Sequence, residues 1–344
     1  MDIKIQKKQT QESFMGDDKQ IIISVVIVNW NSKDFLAKCL RTVFNSVTKL
    51  PFEVIVVDNA SYDGSEEMVK LSFPQVRFFQ LDKNIGFAGA NNFGSKKAKG
   101  KILHFLNPDT EIEPDVINTL AELILLNNDT AIAGCKICNR DGSVQLSTIL
   151  QFPTLFREII DNEFLMKRFY WLNLWGNSAL FERKKVIVKE VEVISGACLA
   201  INRDDFFKVG GFNESYFMYS EEVELCYRVK KRGKKVKFTN KCKIMHYGGG
   251  SSRLHPVKEF SIKMIFESRM KFIQLNYGFL HAVAYKISVL LTAIVKLSLI
   301  ITFSPVFLLV SKQQLAYSLK KWIYLFIWVF SGCRVAEEIP PPLP

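Results

Sequence analysis

A rhythm between residues 21 and 130 leaves this chain few possible folds. Short β-branched runs alternate with segments of helical spacing, and each run stops at a polar cluster. Residues 21–28 read as a fully buried strand. Residues 34–47 then set Phe35, Leu36, Cys39, Leu40, Val43 and Phe44 at helical intervals. Strands are expected at 52–57, 76–81 and 102–106, and helices at 66–71 and 88–98. Pro114, suited to a first turn, opens a further helix to about Leu126. Runs this continuously apolar are buried on both faces, as in parallel sheets. The expected class is α/β, a doubly wound, mostly parallel sheet with flanking helices. Ligands of such sheets bind beyond the carboxyl ends of the strands. Asn29, Asp58, Lys83-Asn84 and Asn107-Pro108-Asp109 each follow a strand end, so four polar clusters converge on one rim.

The rhythm breaks at residues 150–190, an aromatic insert carrying Phe152, Phe156, Phe164, Phe169, Tyr170, Trp171, Trp175 and Phe181 with basic residues between them. It could cover an acceptor or form a satellite core. A strand at 191–201, a helix at 221–232 and a strand at 235–238 then close a domain of residues 21–255. Residues 1–20 are polar and charged, without the apolar stretch of a signal peptide, and are expected to be a flexible tail.

Residues 256–344 have another character. The stretch 287–310 is nearly all apolar, interrupted by Lys296 and Pro305, and 322–330 is a second apolar run. The first is long enough to span a bilayer. A single span would put Lys312, Lys320, Lys321 and Arg334 opposite a basic domain, against the positive-inside tendency. Helices lying in or re-entering the cytoplasmic interface, with lysines at headgroup level, fit better than one span or a buried helix.

The net charge of +12 points to an anionic partner. No Arg-rich arm, zinc-finger spacing or RNP-like motif accompanies it, so no nucleic-acid recognition is expected. Seven scattered cysteines argue against a disulfide framework. Cys135-Lys-Ile-Cys138 lacks the second pair a zinc site needs and reads as buried structural thiols.

Asp109 alone is a turn or capping residue. At Ser220-Glu221-Glu222-Val223-Glu224, Ser220 suits an N-cap, and acids in a first turn complement the helix dipole. That accounts for Glu221 and Glu224, the latter four residues before Arg228. Glu222 instead shares the apolar stripe of Leu225, Cys226 and Val229. Burial would raise its pKa against the pull of the helix terminus, which suits a general base.

Taken together, VVIVNWNS (25–32), VVDNASYDGS (56–65), NIGFAGANN (84–92), FLNPDT (105–110), SGACLAINRDDF (195–206) and GGFNESYFMYSEEVELCYR (210–228) resemble family 2 glycosyltransferases of the GT-A fold, rhamnosyltransferase-like branch. The resemblance covers about residues 20–250, in order. It implies that Asp109 binds Mg²⁺ or Mn²⁺, holding the diphosphate of a sugar nucleotide, and that His246 joins that site. A hard cation stabilises charge on a departing diphosphate, and often needs one or two carboxylates plus phosphate oxygens. Asn107 stands where the usual DxD signature has an acid, so metal affinity should lean more on bound nucleotide. Gly248 to Gly250 would let backbone N–H groups approach phosphate.

The resemblance further makes Glu222 the general base, with Glu221 next; Glu222 is one methylene longer than the usual Asp. It assigns Asp58, with Asn59 and Asp63, to the nucleotide, where a carboxylate accepting from a pyrimidine N3–H favours UDP or dTDP. Asn29, Asn31, Asn84, Gly86, Phe87, Ala88, Asn91 and Asn107 fall on the nucleotide-sugar side. Gly196 and Ala197 either leave room for the sugar or pack a strand. The implied activity is inverting transfer from a nucleoside-diphosphate sugar to a lipid-linked or cell-envelope glycan acceptor, at a membrane surface. A sugar-phosphate nucleotidyltransferase would carry a Gly-rich basic loop where Asn29-Trp30-Asn31-Ser32 stands. A dinucleotide site would need GxGxxG after the first strand. A GT-A scaffold without activity is the other alternative, separable by donor hydrolysis.

Overall fold

Val25 and Ile27 pack on one face of the first strand and Val26 and Val28 on the other, all four buried. This two-sided burial is what an uninterrupted apolar run requires. The computed structural model describes residues 20–160, 166, 168–172, 174–181, 185–248, 257–310 and 312–330. The expected tail lies outside them except for residue 20, as do Phe164, Gly249, Gly250 and Arg334.

The first half contains β1 (Ile23–Asn29), α1 (Lys33–Phe44), β2 (Phe52–Asp58), α2 (Ser65–Ser72), β3 (Arg77–Gln80), α3 (Gly86–Lys97), β4 (Ile102–Leu106), β5 (Thr110–Ile112), α4 (Val116–Leu125) and β6 (Thr130–Cys138). Then come β7 (Ile149–Leu150), α5 (Leu155–Ile160), β8 (Val188–Val191), β9 (Val193–Ile194), β10 (Cys198–Asn202), α6 (Arg203–Lys208), α7 (Glu221–Lys231) and β11 (Lys235–His246). Three helices follow: α8 (Val257–Tyr277), α9 (Phe279–Val310) and α10 (Lys312–Phe330).

Nine strands form one sheet in the order β3-β2-β1-β4-β10-β6-β11-β5, with β8 also paired to β11. β3, β2, β1, β4, β6 and β11 run one way; β10, β5 and β8 run the other. The sheet is thus mixed and mostly parallel. One face is covered by α1, α2 and α4. The other is covered by α3, α6 and α7, and by the C-terminal helices through Phe272, Ile273, Tyr285, Leu325 and Trp328. Phe105 anchors that side, its ring 4.9 Å from Phe212 and 5.3 Å from Phe206.

Several expectations shift. The strand at 191–201 is broken at residues 195–197, where Ala197 N–H donates to Ser195 Oγ at 3.3 Å and turns the chain. The strand at 235–238 runs on to His246 through an irregularity between Thr239 and Lys243. Pro114 sits ahead of the cap residue Asp115, outside the first turn. The lone CxxC is not a unit: Cys135 lies 3.9 Å from Cys198 across the sheet, and all six described cysteines are buried and free.

Candidate active site

A carboxylate follows Pro108 at the end of a core strand because the chain changes neighbours there. β4 pairs with β10, whereas β5, which starts after three intervening residues, pairs with β11. Pro108 has no N–H to continue a ladder, and at this break the chain crosses from one neighbour to the other. Asn107 N–H donates to Ala197 O at 3.1 Å, and Tyr247 N–H donates to Asp109 O at 3.0 Å. The crossing sets the buried Asp109 beside the carboxyl end of β11. There Asp109 Oδ1 is 3.2 Å from His246 Nε2. Asn107 Nδ2 is 3.5 Å from the same nitrogen, and Asn107 Oδ1 is buried with no hydrogen-bond partner.

A residue that sequence reasoning missed holds this histidine. Gln145 Oε1 lies 3.0 Å from His246 Nδ1, and Gln145 Nε2 donates to the His246 carbonyl at 2.8 Å and to Asn139 Oδ1 at 2.8 Å. Among the described residues no three His, Cys, Asp or Glu side chains form a metal-binding group. The donor set suits a hard cation all the same. A carboxylate, an imidazole nitrogen and an orphaned amide oxygen leave most of a coordination sphere to phosphate oxygens and water.

The second part of the site is the start of α7. Tyr219 and Ser220 enter it with φ of 68° and 66°, the left-handed region that non-glycine residues rarely adopt. Ser220 makes no capping bond, contrary to expectation, and its left-handed backbone is not the extended conformation from which a cap side chain reaches the helix N–H groups. Nor does α7 present a single apolar stripe. Glu221, Val223, Glu224, Leu225, Cys226 and Val229 are all buried. Glu224 meets its expected partner: Arg228 Nε and Nη2 each donate to it at 2.6 Å. Glu221 is buried more deeply than the dipole reading required, and its Oε2 has no partner. Glu222 is half-buried as a residue, but its Oε2 is shut off and unpartnered too. Burial pushes the Glu222 carboxyl up to about 7. Burial first, and the neighbouring Glu222 second, hold Glu221 well above the usual carboxylate range.

Gly196 joins the two parts. A Cβ on it would lie 3.6 Å from Glu222 Cβ and 3.8 Å from the Phe87 ring, while its neighbour Ala197 accepts the Asn107 N–H bond. Gly86 must be glycine: its φ is 78°, and a Cβ would come within 2.8 Å of Phe217 O. Phe87 N–H donates to that same carbonyl, which ties the start of α3 to the loop before α7.

The third part is the expected nucleotide side, and its polar groups are largely engaged with one another. Asp58 is fully buried. It accepts from Asn29 Nδ2 at 2.7 Å, Ser61 N–H at 2.7 Å and Gln80 Nε2 at 2.9 Å. Asp63 accepts from Lys33 N–H at 2.8 Å and Ser65 N–H at 3.1 Å, at the starts of α1 and α2. Asn31 Oδ1 accepts from Tyr62 N–H, Asn59 bonds Ile85 and Gly86, Asn84 Oδ1 accepts from Gly86 N–H, and Asn91 donates to Phe87 O. Ala88 is buried in the core.

Residues 24–210 match Glycosyl transferase family 2. The chain is 27% identical over 252 residues to an N-acetylglucosaminyl-diphospho-decaprenol L-rhamnosyltransferase of Mycobacterium tuberculosis, covering 70% of this chain and 80% of that protein. It is 27% identical over 227 residues to a low-salt glycan biosynthesis hexosyltransferase of Haloferax volcanii, covering 65% and 64% of the two chains. Among solved structures, a mannosyltransferase from Pyrobaculum calidifontis in complex with GDP-Man and Mn²⁺ superposes with a TM-score of 0.58 at 14% identity, over 95% of both chains. GalNAc-T7 with UDP, GalNAc and Mn²⁺ gives 0.53 at 18% identity, over 75% of this chain and 48% of that one. The fold is GT-A, the sequence is rhamnosyltransferase-like, and the chain belongs to glycosyl transferase family 2.

Proposed function

We propose that this protein is a metal-dependent, inverting glycosyltransferase that moves a sugar from a nucleoside-diphosphate donor to a hydroxyl of a lipid-linked or envelope-glycan acceptor. The observation that carries this reading is the joining, through Gly196 and Ala197, of an Asn107–Asp109–His246 donor set to a carboxylate with a buried, unpartnered oxygen. Glu222 takes the proton of the acceptor hydroxyl. That oxygen attacks the anomeric carbon as the bond to the diphosphate breaks, and the nucleoside diphosphate leaves. Asp109, His246 and the Asn107 amide oxygen would hold Mg²⁺ or Mn²⁺, which when bound would supply Lewis-acid stabilisation of the diphosphate. Phe87 and Gly196 border the sugar, and the loops of Asn29, Asn31, Asp58, Asn59, Asp63, Asn84 and Asn91 shape the nucleotide side. Rhamnose is the donor sugar favoured by the rhamnosyltransferase relative, and a dTDP or UDP carrier rests on the family resemblance alone.

The acceptor's lipid would be met at the cytoplasmic face. Among the described residues, residues 279–302 of α9 are the one helical stretch long and apolar enough to cross a membrane, by length and composition. Phe279, Leu280, Ile287, Leu291 and Ile301 on α9, and Ile327 and Phe330 on α10, are exposed, with Lys320 beside them in sequence. Peripheral or re-entrant attachment of these helices matches that pattern.

The test is transfer or hydrolysis of a nucleotide-sugar panel with Mn²⁺. Activity should fall by about 10²- to 10⁴-fold in Glu222→Gln, the range for loss of a positioned general base. It should be abolished in Asp109→Ala. Unchanged turnover in both variants would refute these roles, and no turnover in the unaltered protein with any donor would favour the inactive scaffold. A thermal-shift panel of nucleoside diphosphates with either metal identifies the base.

A further inference from the structure

Resting on the cation reading of Asp109 and His246, we infer that Gln145 is a positioning residue that fixes which nitrogen of His246 faces the cation. Gln145 belongs to the loop after β6, which Asn139 N–H, Gly142 N–H and Gln145 N–H pin with bonds to Ser143 O, Asn139 O and Ile137 O. Its side-chain amide has one orientation available. Nε2 sits 2.8 Å from the carbonyl oxygen of His246, which can only accept, so the NH₂ group faces that way. The second hydrogen goes to Asn139 Oδ1 at 2.8 Å, itself held because Asn139 Nδ2 donates to Ser143 Oγ at 2.8 Å. Oε1 is left facing His246 Nδ1 at 3.0 Å. An amide oxygen accepts only, so Nδ1 carries the hydrogen.

The consequence falls on the other ring nitrogen. In that tautomer the Nε2 lone pair faces Asp109 Oδ1 at 3.2 Å, with Asn107 Nδ2 3.5 Å away. The Nε2 lone pair and the Asp109 carboxylate then face one another, an arrangement that a cation bound between them stabilises. The opposite tautomer would donate Nε2–H to Asp109 and close the site with a hydrogen bond. Gln145 therefore does for His246 what outer carboxylates and carbonyls do for ligating histidines elsewhere: it sets tautomer and ring orientation. Because the same amide grips the β11 backbone through the His246 carbonyl, ring and strand end are held as one piece.

The experiment is Mn²⁺ titration of the full-length protein by electron paramagnetic resonance, with and without UDP or dTDP. Gln145→Met keeps the side chain's size and removes both bonds. It should weaken Mn²⁺ binding by about 10- to 100-fold, the range for loss of an outer-shell partner. Mn²⁺ bound as tightly by folded Gln145→Met as by the unaltered protein would overturn the inference. Long-range ¹H–¹⁵N spectra of the unaltered protein, labelled at its four histidines, provide a second reading that no folding defect can confuse. The His246 signals, identified by their loss in His246→Ala, should show the Nδ1–H tautomer; the Nε2–H tautomer would overturn the inference. If Asp109→Ala and His246→Ala bind Mn²⁺ as the unaltered protein does, the cation reading itself fails, and the role of Gln145 with it.

Discussion

The loops after β1 and β2 and the start of α7 stand on the same rim and treat their carboxylates in opposite ways. Asp58 and Asp63 have oxygens bonded by the chain itself, to Asn29, Ser61, Gln80, Lys33 and Ser65. Glu221 and Glu222 each keep a buried oxygen without a partner. Leaving a buried acceptor unpaired costs about 1–3 kcal/mol, and more for a charged one. The first region uses acidic side chains to fix loop shape; the second holds them poised at a cost in stability. On the proposed function, this contrast makes the nucleotide side preorganised and concentrates the reactive proton chemistry on α7.

Removing the acid in each region would break the contrast most sharply. Glu222→Gln should lose the proposed 10²- to 10⁴-fold of turnover while keeping or raising the melting temperature at pH 8, since a buried charge is removed there. Asp58→Ala should do the reverse in kind. It strips one acceptor from the buried Asn29 amide, one from the exposed Gln80 amide and the one bonded by the Ser61 N–H, and should destabilise the fold by about 1–3 kcal/mol. Urea unfolding measures the loss. A variant as stable as the unaltered protein would mean that these bonds organise nothing.

Titration separates the regions less dramatically. With Glu222 held near 7, activity limited by its basic form should rise with pH through about 7. Stability should move the other way. Above the ordinary carboxyl range the unfolded chain has lost the proton that the folded chain still holds, so unfolding releases a proton and stability falls as pH rises from about 4.5 toward 7. Glu221, raised in the same direction, adds to that slope. Melting temperatures of the unaltered protein and Glu222→Gln, compared from pH 5 to 8, should diverge in the variant's favour. Parallel curves would remove the case for a strained carboxylate.

The sequence was most legible where chemistry and chain order coincide. Apolar runs ending at Asn29, Asp58 and Asn107 marked the rim because a parallel sheet brings strand ends together by construction. The partnership of Asp109 and His246 came through the resemblance, and the antiparallel pairing of β5 with β11 is its physical cause. Gln145 carried no signal, because its contact with His246 depends on a loop and a strand 101 residues apart. The depth of Glu221 was hidden for a different reason: it follows two left-handed residues, Tyr219 and Ser220, whose φ values neither composition nor spacing encodes. The long helix α8 lies in the region 256–344 expected to be helical, but its bounds were not legible because its charged residues interrupt the apolar pattern. Yet Phe272 and Tyr277 pack on Tyr227, at the back of the helix that bears Glu222.

The smallest expected effect tests where the two regions meet. Gly196 has an ordinary backbone conformation, so alanine is tolerated there without strain. Its Cβ would sit at van der Waals distance from Glu222 and Phe87 and would clash with neither. Gly134 is the counterexample, since a Cβ there would fall 2.2 Å from Ile194 Cγ2 in the core. If Gly196 only packs a strand turn, Gly196→Ala should leave melting temperature and kinetics alike untouched. If the space above it receives the donor sugar, stability should stay constant while KM for the donor rises by a few-fold, since one methyl in a well-fitted pocket is worth about 1 kcal/mol or more. The pH midpoint belongs to Glu222, which the methyl touches without displacing, so it should not move. A midpoint shift with KM unchanged would instead mean that Gly196 supports the carboxylate and leaves the sugar to other residues.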